Sequence, residues 1–291
     1  MVTRTTMTGR LFTSLKILFL LFIIVIMLFP FVNMIAVSLS GNVPIMQNRV
    51  GLWPVEFNLK AYESVLSDPM ILRAYLNTFN YVTTGTLISL AVSTMGAFAL
   101  SRSKMVFKKT FMMMIVFTMF FNGGMIPTFL VVRELGLMNT MWAVILPGCV
   151  SAWNLILMRT FFLAIPKELE EAGTVDGLSD TGILFHIFLP LSKAALATFT
   201  LFYAVGYWNS FFAPFLYLQD PMKYPLQVLL RSLLIANEYR MDSMVEVGEG
   251  MIMPESIKFA TIVVSTLPIV AIYPFVQRYF VKGVMIGSVK G

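Results

Sequence analysis

Few side chains in this sequence could do covalent chemistry. It has one histidine, His186, and one cysteine, Cys149. A lone histidine cannot build the paired-histidine zinc motif, and a lone cysteine forms neither an internal disulfide nor a thiolate cluster. No G-x-S-x-G occurs, and the pair Gly-Lys never occurs, so the chain carries no nucleophile elbow and no phosphate-cradling loop. The expected catalytic and metal-ligand sets are empty. What remains is recognition chemistry of two kinds. One is a compact acidic and small-residue stretch, Glu171-Ala172-Gly173-Thr-Val-Asp176-Gly177. The other is a set of neutral polar and aromatic residues, Asn122, Trp153, Asn154, Tyr203, Tyr207, Trp208 and Asn209. Aromatic faces pack on the apolar faces of sugars while amides bond their hydroxyls, which suits a path for a neutral, hydroxyl-rich solute. The same residues would also serve as lipid-facing aromatics and as amides bonded between helices. Tyr203, Tyr207 and Phe211 share one helix face by i, i+4 spacing.

The elements that hold these residues are apolar. Of 291 residues, 58% are hydrophobic and 12% charged, with a mean hydropathy of +0.81. Soluble domains carry about 25% charged residues, so this composition points to the bilayer. Six charge-free runs stand out: 17–39, 74–101, 110–132, 136–158, 194–218 and 259–277. Each can cross ~30 Å of hydrocarbon as a helix, and none alternates as a barrel strand would. The expected fold class is all-α, a polytopic membrane protein with six transmembrane helices. Arg4, Arg10 and Lys16 precede the first run as they would in a signal peptide, but the run exceeds a typical ~7–15-residue apolar region and reads as an uncleaved helix. Glycine and proline interrupt several spans, at Gly123, Gly124, Pro127, Pro147 and Gly148 among others, which suits helices that bend.

Loop charge sets the expected orientation. The side holding both termini, 102–109 and 159–193 collects 13 Lys/Arg against 8 on the other, and the short cluster Arg102, Lys104, Lys108, Lys109 weighs most. Both termini are thus expected in the cytoplasm, and the net charge of +6 is a topology signal that needs no nucleic-acid partner. The spans themselves hold no Asp, Glu, Lys, Arg or His, which argues against a proton relay or a charge-lined channel. If nucleotide hydrolysis drives transport, the ATPase is another polypeptide.

The cytoplasmic stretch 166–190 reads as two short capped helices. Pro166 suits a first helical position, Glu168 and Glu170 favour the N-terminal dipole, Gly177 suits a left-handed end, and Ser179 can cap the second helix. That helix is expected to end near Leu189 because Pro190 follows. On the outer side, 224–235 could form an amphipathic helix around Leu226, Leu229, Leu230, Leu233 and Leu234.

Here a resemblance enters. Glu171-Ala172-x4-Gly177-x9-Ile187-x-Leu189-Pro190 resembles the EAA loop of ABC importer permeases, with Gly173 in place of the second alanine. The segments Asn122-Gly-Gly-Met-Ile-Pro-Thr, Ser151-Ala-Trp-Asn-Leu, Met158-Arg-Thr-Phe-Phe and Tyr207-Trp-Asn-Ser-Phe-Phe look like carbohydrate permeases of the maltose type. More narrowly they resemble its LplC/YtcP-like branch, associated with complex oligosaccharides such as pectin fragments. Val281-Lys-Gly and Val289-Lys-Gly291 are similar to the maltose-type tail. The resemblance implies the type I importer permease fold, divided into 1–40 (tail and peripheral first helix), 41–73 (extracellular loop), 74–277 (core, with docking loop 166–190) and 278–291 (tail). It implies that Glu171, Ala172, Gly173, Asp176, Gly177, Ile187, Leu189 and Pro190 form the ATPase-docking motif. The small pair Ala172 and Gly173 would then let that surface approach closely. It also implies the partners: a second homologous permease, an ATPase dimer that uses ATP and Mg, and an extracellular solute-binding protein. The chain itself would need no cofactor and would move sugar across a bacterial cell membrane by alternating access. The alternative is a self-contained six-helix carrier or channel for a neutral polar solute, which explains the composition but not the docking loop.

Overall fold

The computed structural model describes residues 7–243 and 254–288. Arg4, the segment 244–253 and the last motif residues, Val289-Lys290-Gly291, lie outside the described residues. In chain order the main helices are α1 (Met7–Ser38), α2 (Pro69–Ser101), α3 (Lys108–Phe120), α4 (Met125–Glu134), α5 (Met141–Ile145), α6 (Ala152–Leu163), α7 (Lys167–Val175), α8 (Asp180–Ile183), α9 (Lys193–Trp208), α10 (Phe212–Tyr217), α11 (Leu226–Ser243) and α12 (Pro254–Ser288). Among the described residues every regular element is helical, as a bilayer demands of a chain that must bond its own backbone.

Three stretches are long and apolar enough to cross a membrane unbroken: Leu11–Ser38, Pro69–Ser101 and Pro254–Ala271. The runs expected as spans three, four and five are interrupted. α3 and α4 meet at 114°, where Gly124 takes φ +86 and its N–H donates to Asn122 Oδ1 at 2.9 Å. The fourth run bends by 55° between 148 and 152. There Pro147-Gly148 forms a 3₁₀ turn and Ser151 Oγ caps α6 by accepting from Asn154 N. The fifth run is α9 and α10, separated at 209–211. The bent pairs that could each count as one span are α3 with α4, Met141–Gly148 with α6, and Asp180–Leu191 with α9, which gives up to six among the described residues.

The chain divides into two compact units, 1–69 with 230–267 and 70–229 with 268–291, a division different from the one expected from sequence. In the first, Val37 and Ile45 pack with Val50 and Phe259, and Asn33 Nδ2 donates to Gly51 O at 2.8 Å. The apolar side chains of α1 from Leu11 to Val32 are almost all exposed, a surface that only lipid or protein can cover. In the second unit one core joins Val132, Ala143 and Tyr217, and another joins Tyr81, Val144 and Leu218. The start of α2 is strapped to the segment before α11: Tyr81 Oη donates to Lys223 O at 2.8 Å, and Thr78 Oγ1 accepts from Leu226 N at 2.8 Å. α11 begins at Leu226, two residues later than its pattern predicts, with Leu226 and Val228 buried.

A larger core gathers Ala97 and Phe98 of α2, Met158 and Phe162 of α6, Ile183, Leu184 and Phe188, and Ala195 and Phe199 of α9. Phe188 sits edge-on to both Phe98 and Phe162, with centroids 5.0 and 5.5 Å away. This core fixes the 166–190 loop against three spans.

Candidate docking hairpin and solute path

The hairpin starts at Pro166, which stands as the N-cap of α7. α7 ends as its glycine predicts. Gly177 has φ +82, Leu178 N donates to Gly173 O at 2.9 Å, and Gly177 N donates to Thr174 O at 3.1 Å. These two bonds are the Schellman closure, which satisfies carbonyls that a helix end leaves open. Ser179 Oγ accepts from Gly182 N at 3.2 Å and caps α8.

Pro190 does not end the second helix. The chain continues from α8 through a π turn at Leu184–Phe188 and a short helical turn at Leu189–Leu191, then bends by 87° into α9. Pro190 stands at the start of that last turn, where its missing N–H costs nothing. The bend falls at Ser192, whose N–H still reaches Phe188 O at 3.0 Å.

The motif residues divide between two faces. Glu171, Ala172, Asp176 and Gly177 are exposed, while Ile187 and Leu189 pack against the core and Pro190 is exposed. Gly173 is buried and faces inward, which corrects the expectation that its smallness serves an approaching partner. A Cβ at Gly173 would lie 2.7 Å from Ile187 Cδ1, 3.4 Å from Leu178 Cδ1 and 3.6 Å from Ile183 Cγ1. Ile187 fills the space that the motif's second alanine would occupy. Leu169 and Val175, three residues either side of Ala172, add apolar area to its exposed face, and Val175 is 88% exposed. Sequence reasoning missed both, although an exposed valine in a capped surface helix is the available signal.

It also missed the polar fastening of the hairpin. Arg102, 7% exposed in its side chain, places Nη2 2.8 Å from Asp180 Oδ1 of α8 and Nη1 3.2 Å from Glu170 Oε1 of α7. The Asp180 contact is a hydrogen bond; the Glu170 contact is within ion-pair range but out of hydrogen-bond alignment. The guanidinium also lies over the Phe98 ring, 5.2 Å from its centroid, a favourable cation–π position.

The solute-path residues scatter by burial. Tyr203 is buried, its hydroxyl 2.7 Å from Ser93 Oγ, and Tyr207 lies 2.9 Å from Ser89 Oγ. The Tyr207 ring covers Gly85, where a Cβ would stand 2.7 Å from its Cε2 and Cζ. Both tyrosines are therefore used in packing α9 on α2. Asn154 is buried, whereas Trp153 is 59% exposed, and Asn122 and Asn209 are also exposed. Trp208 is half-buried at the end of α9, and Asn209 is the residue after it. A groove of about 530 Å³ lies elsewhere, lined by Leu87, Leu90, Leu184, Phe185 and Leu196 among others. Its walls lack the convergent polar groups that a sugar site requires.

Comparison with known proteins accounts for this arrangement. The family described as "Binding-protein-dependent transport system inner membrane component" matches residues 93–286. The polygalacturonan/rhamnogalacturonan transport system permease protein YtcP of Bacillus subtilis is 44% identical over 98% of this chain and 100% of its own length. Protein LplC of the same organism is 41% identical over 98% of this chain and 97% of its own. A crystal structure of a bacterial ABC transporter involved in the import of the acidic polysaccharide alginate contains a chain with TM-score 0.86 and 34% identity, covering 94% of this chain and 98% of that one. The self-contained carrier is thereby set aside, and the chain belongs to the binding-protein-dependent transport family as a membrane-embedded ABC permease subunit, a transport component with no ATPase site of its own.

Proposed function

We propose that this chain is one half of the permease of a bacterial oligosaccharide importer, and that its cargo is fragments of pectic polymers. It pairs with a second homologous permease. An extracellular binding protein delivers the sugar, and two copies of an ATPase, using ATP and Mg, drive alternating access. The hairpin 166–190 docks the ATPase through Glu171, Ala172, Asp176 and the Gly177 turn, with Gly173, Ile187, Leu189 and Pro190 shaping it from behind. The observation that carries this reading is the two-faced hairpin: its inner side is packed into the core of α2, α6 and α9, and its outer side presents Glu171, Ala172 and Val175. The near full-length likeness to a polygalacturonan/rhamnogalacturonan permease supports the cargo class. Trp153, Trp208, Asn209 and Asn122 are the side chains best placed to meet sugar. The six charge-free runs hold no Lys or Arg, so the carboxylates of an acidic sugar are met near the span ends, by loops or by the second permease.

The cargo is tested by uptake of labelled oligogalacturonides in a strain lacking this chain. Uptake is expected to be lost and to return with the gene on a plasmid. Unchanged uptake in the deletion strain, or competition by neutral oligosaccharides alone, would sink the pectic assignment. Orientation, with both termini in the cytoplasm of the cell membrane, is tested by single cysteines after Cys149 is replaced. A cysteine at Ser179 is expected to react with impermeant maleimide only in opened cells, and one at Gln219 in intact cells. The reverse pattern overturns it.

A further inference from the structure

Arg102 is the only charged residue among the buried side chains described. A buried charge persists only where partners replace its lost hydration, and here each partner belongs to a different part of the molecule. Phe98 lies on α2, one turn before Arg102. Glu170 lies on α7, and Asp180 opens α8. One planar guanidinium therefore joins both helices of the hairpin to the end of the second span, at a sequence distance of 78 residues for Asp180. Its fork geometry suits this in a way that a lysine point charge does not.

The same end of α2 is gripped from two other directions. Lys108 Nζ donates to Ser101 O at 3.1 Å and to Arg102 O at 3.3 Å, and Arg159 Nε donates to Leu100 O at 3.0 Å. These are carbonyls that a helix C-terminus leaves unbonded, and cations are favoured there. Three basic side chains thus fasten the last turn of α2 to the start of α3, the end of α6 and the docking hairpin. The apolar core alone could hold the hairpin in place. The polar clamp adds direction, because a shift of α7 or α8 must either carry Arg102 along or strip a buried charge of its partners.

We infer that Arg102 is a positioning residue for energy coupling: it hands displacement of the docking hairpin to the second span. This rests on the docking assignment above. The test uses the full permease pair with its ATPase in lipid nanodiscs, with Cys149 replaced and a spin label at Met95 on the exposed side of α2. The readout is the change in label mobility between the nucleotide-free state and the state trapped with ATP and vanadate. The unmodified clamp is expected to give a clear change. Arg102→Met is expected to reduce it by about fivefold or more, the lower range of a coupling interaction, while ATPase association and basal hydrolysis stay within about twofold. Arg102→Lys, which keeps the charge and loses the fork, is expected to restore part of the response.

Asp180→Asn is the companion variant, because Asp180 is 79% exposed and its replacement does not threaten assembly. It is expected to give an intermediate loss. The clamp is overturned if Arg102→Met responds like the parent, if the parent shows no change on trapping, or, should Arg102→Met fail to assemble, if Asp180→Asn leaves the response intact. Parallel Glu171→Ala complexes separate the two readings. If they keep the ATPase bound, the docking assignment fails. If they release it while Arg102→Met still responds, only the clamp fails.

Discussion

Gly177→Val is expected to release the ATPase and abolish uptake. The backbone at Gly177 lies at φ +82, where an ordinary side chain costs about 1–2 kcal/mol and a β-branched one more. The substitution also opposes the two bonds that close α7, Leu178 N to Gly173 O and Gly177 N to Thr174 O. The turn joining the two helices is then misdirected, and the exposed face moves with it. Glu171→Ala should reach the same end without disturbing the hairpin, since Glu171 is exposed; a carboxylate that docking buries against a basic group of the ATPase would cost about 2–5 kcal/mol to truncate. Gly173 separates the two mechanisms. Gly173→Ala needs only the tip of Ile187 to move and gains about 1 kcal/mol of helix propensity, so near-normal transport is expected. Gly173→Leu overfills the hairpin interior, and the folded permease itself should fall in abundance. Co-purification of the ATPase, membrane abundance and sugar uptake, measured together with Lys167→Ala as control, check all four. Wild-type ATPase association and uptake in Gly177→Val and Glu171→Ala would remove the docking assignment.

Asn209→Ala is expected to lower uptake several-fold at unchanged abundance, and Tyr207→Ala to lower abundance first. Tyr207 is half-buried, covers Gly85 and bonds Ser89. Removing its ring leaves a void worth of order 2 kcal/mol, below the ~3–5 of a fully buried aromatic. Tyr207→Phe loses only the hydroxyl bond, about 0.6 kcal/mol between membrane helices, and should be close to normal in both measures. Asn209 is exposed at the end of α9, with no ring to leave a void. Quantitative immunoblots beside initial uptake rates distinguish the two behaviours. Equal uptake by Asn209→Ala and the parent would take that residue off the path.

The hairpin was legible in sequence because its signals are local. Ser179 caps and Gly177 terminates through bonds within a few residues, and the charge-free run 74–101 announces a long helix. Pro190 misled for a related reason. A proline stops a regular helix, but the preceding π turn at Leu184–Phe188 changes which carbonyl faces it. The breaks at Gly123-Gly124 and Pro147-Gly148 were visible, whereas the 114° and 55° angles were not, since packing of later helices sets them. Periodicity put Tyr203 and Tyr207 on one face without saying that α2 would supply Ser93 and Ser89. The Arg102 cluster carries a topology signal in the sequence, and nothing near it there announces Glu170 or Asp180.

Those serine–tyrosine pairs have a consequence for how easily the permease changes state. Ser89 meets Tyr207 and Ser93 meets Tyr203, so each helix places its rungs four residues apart and the two run antiparallel. Every rung is a neutral hydroxyl pair, and each hydroxyl can rotate to a new acceptor without moving charge. Such bonds are worth about 0.6 kcal/mol each in a membrane, far less than a buried ion pair costs to break. The seam between α2 and α9 is therefore a low-friction bearing beside the stiff ionic clamp at Arg102.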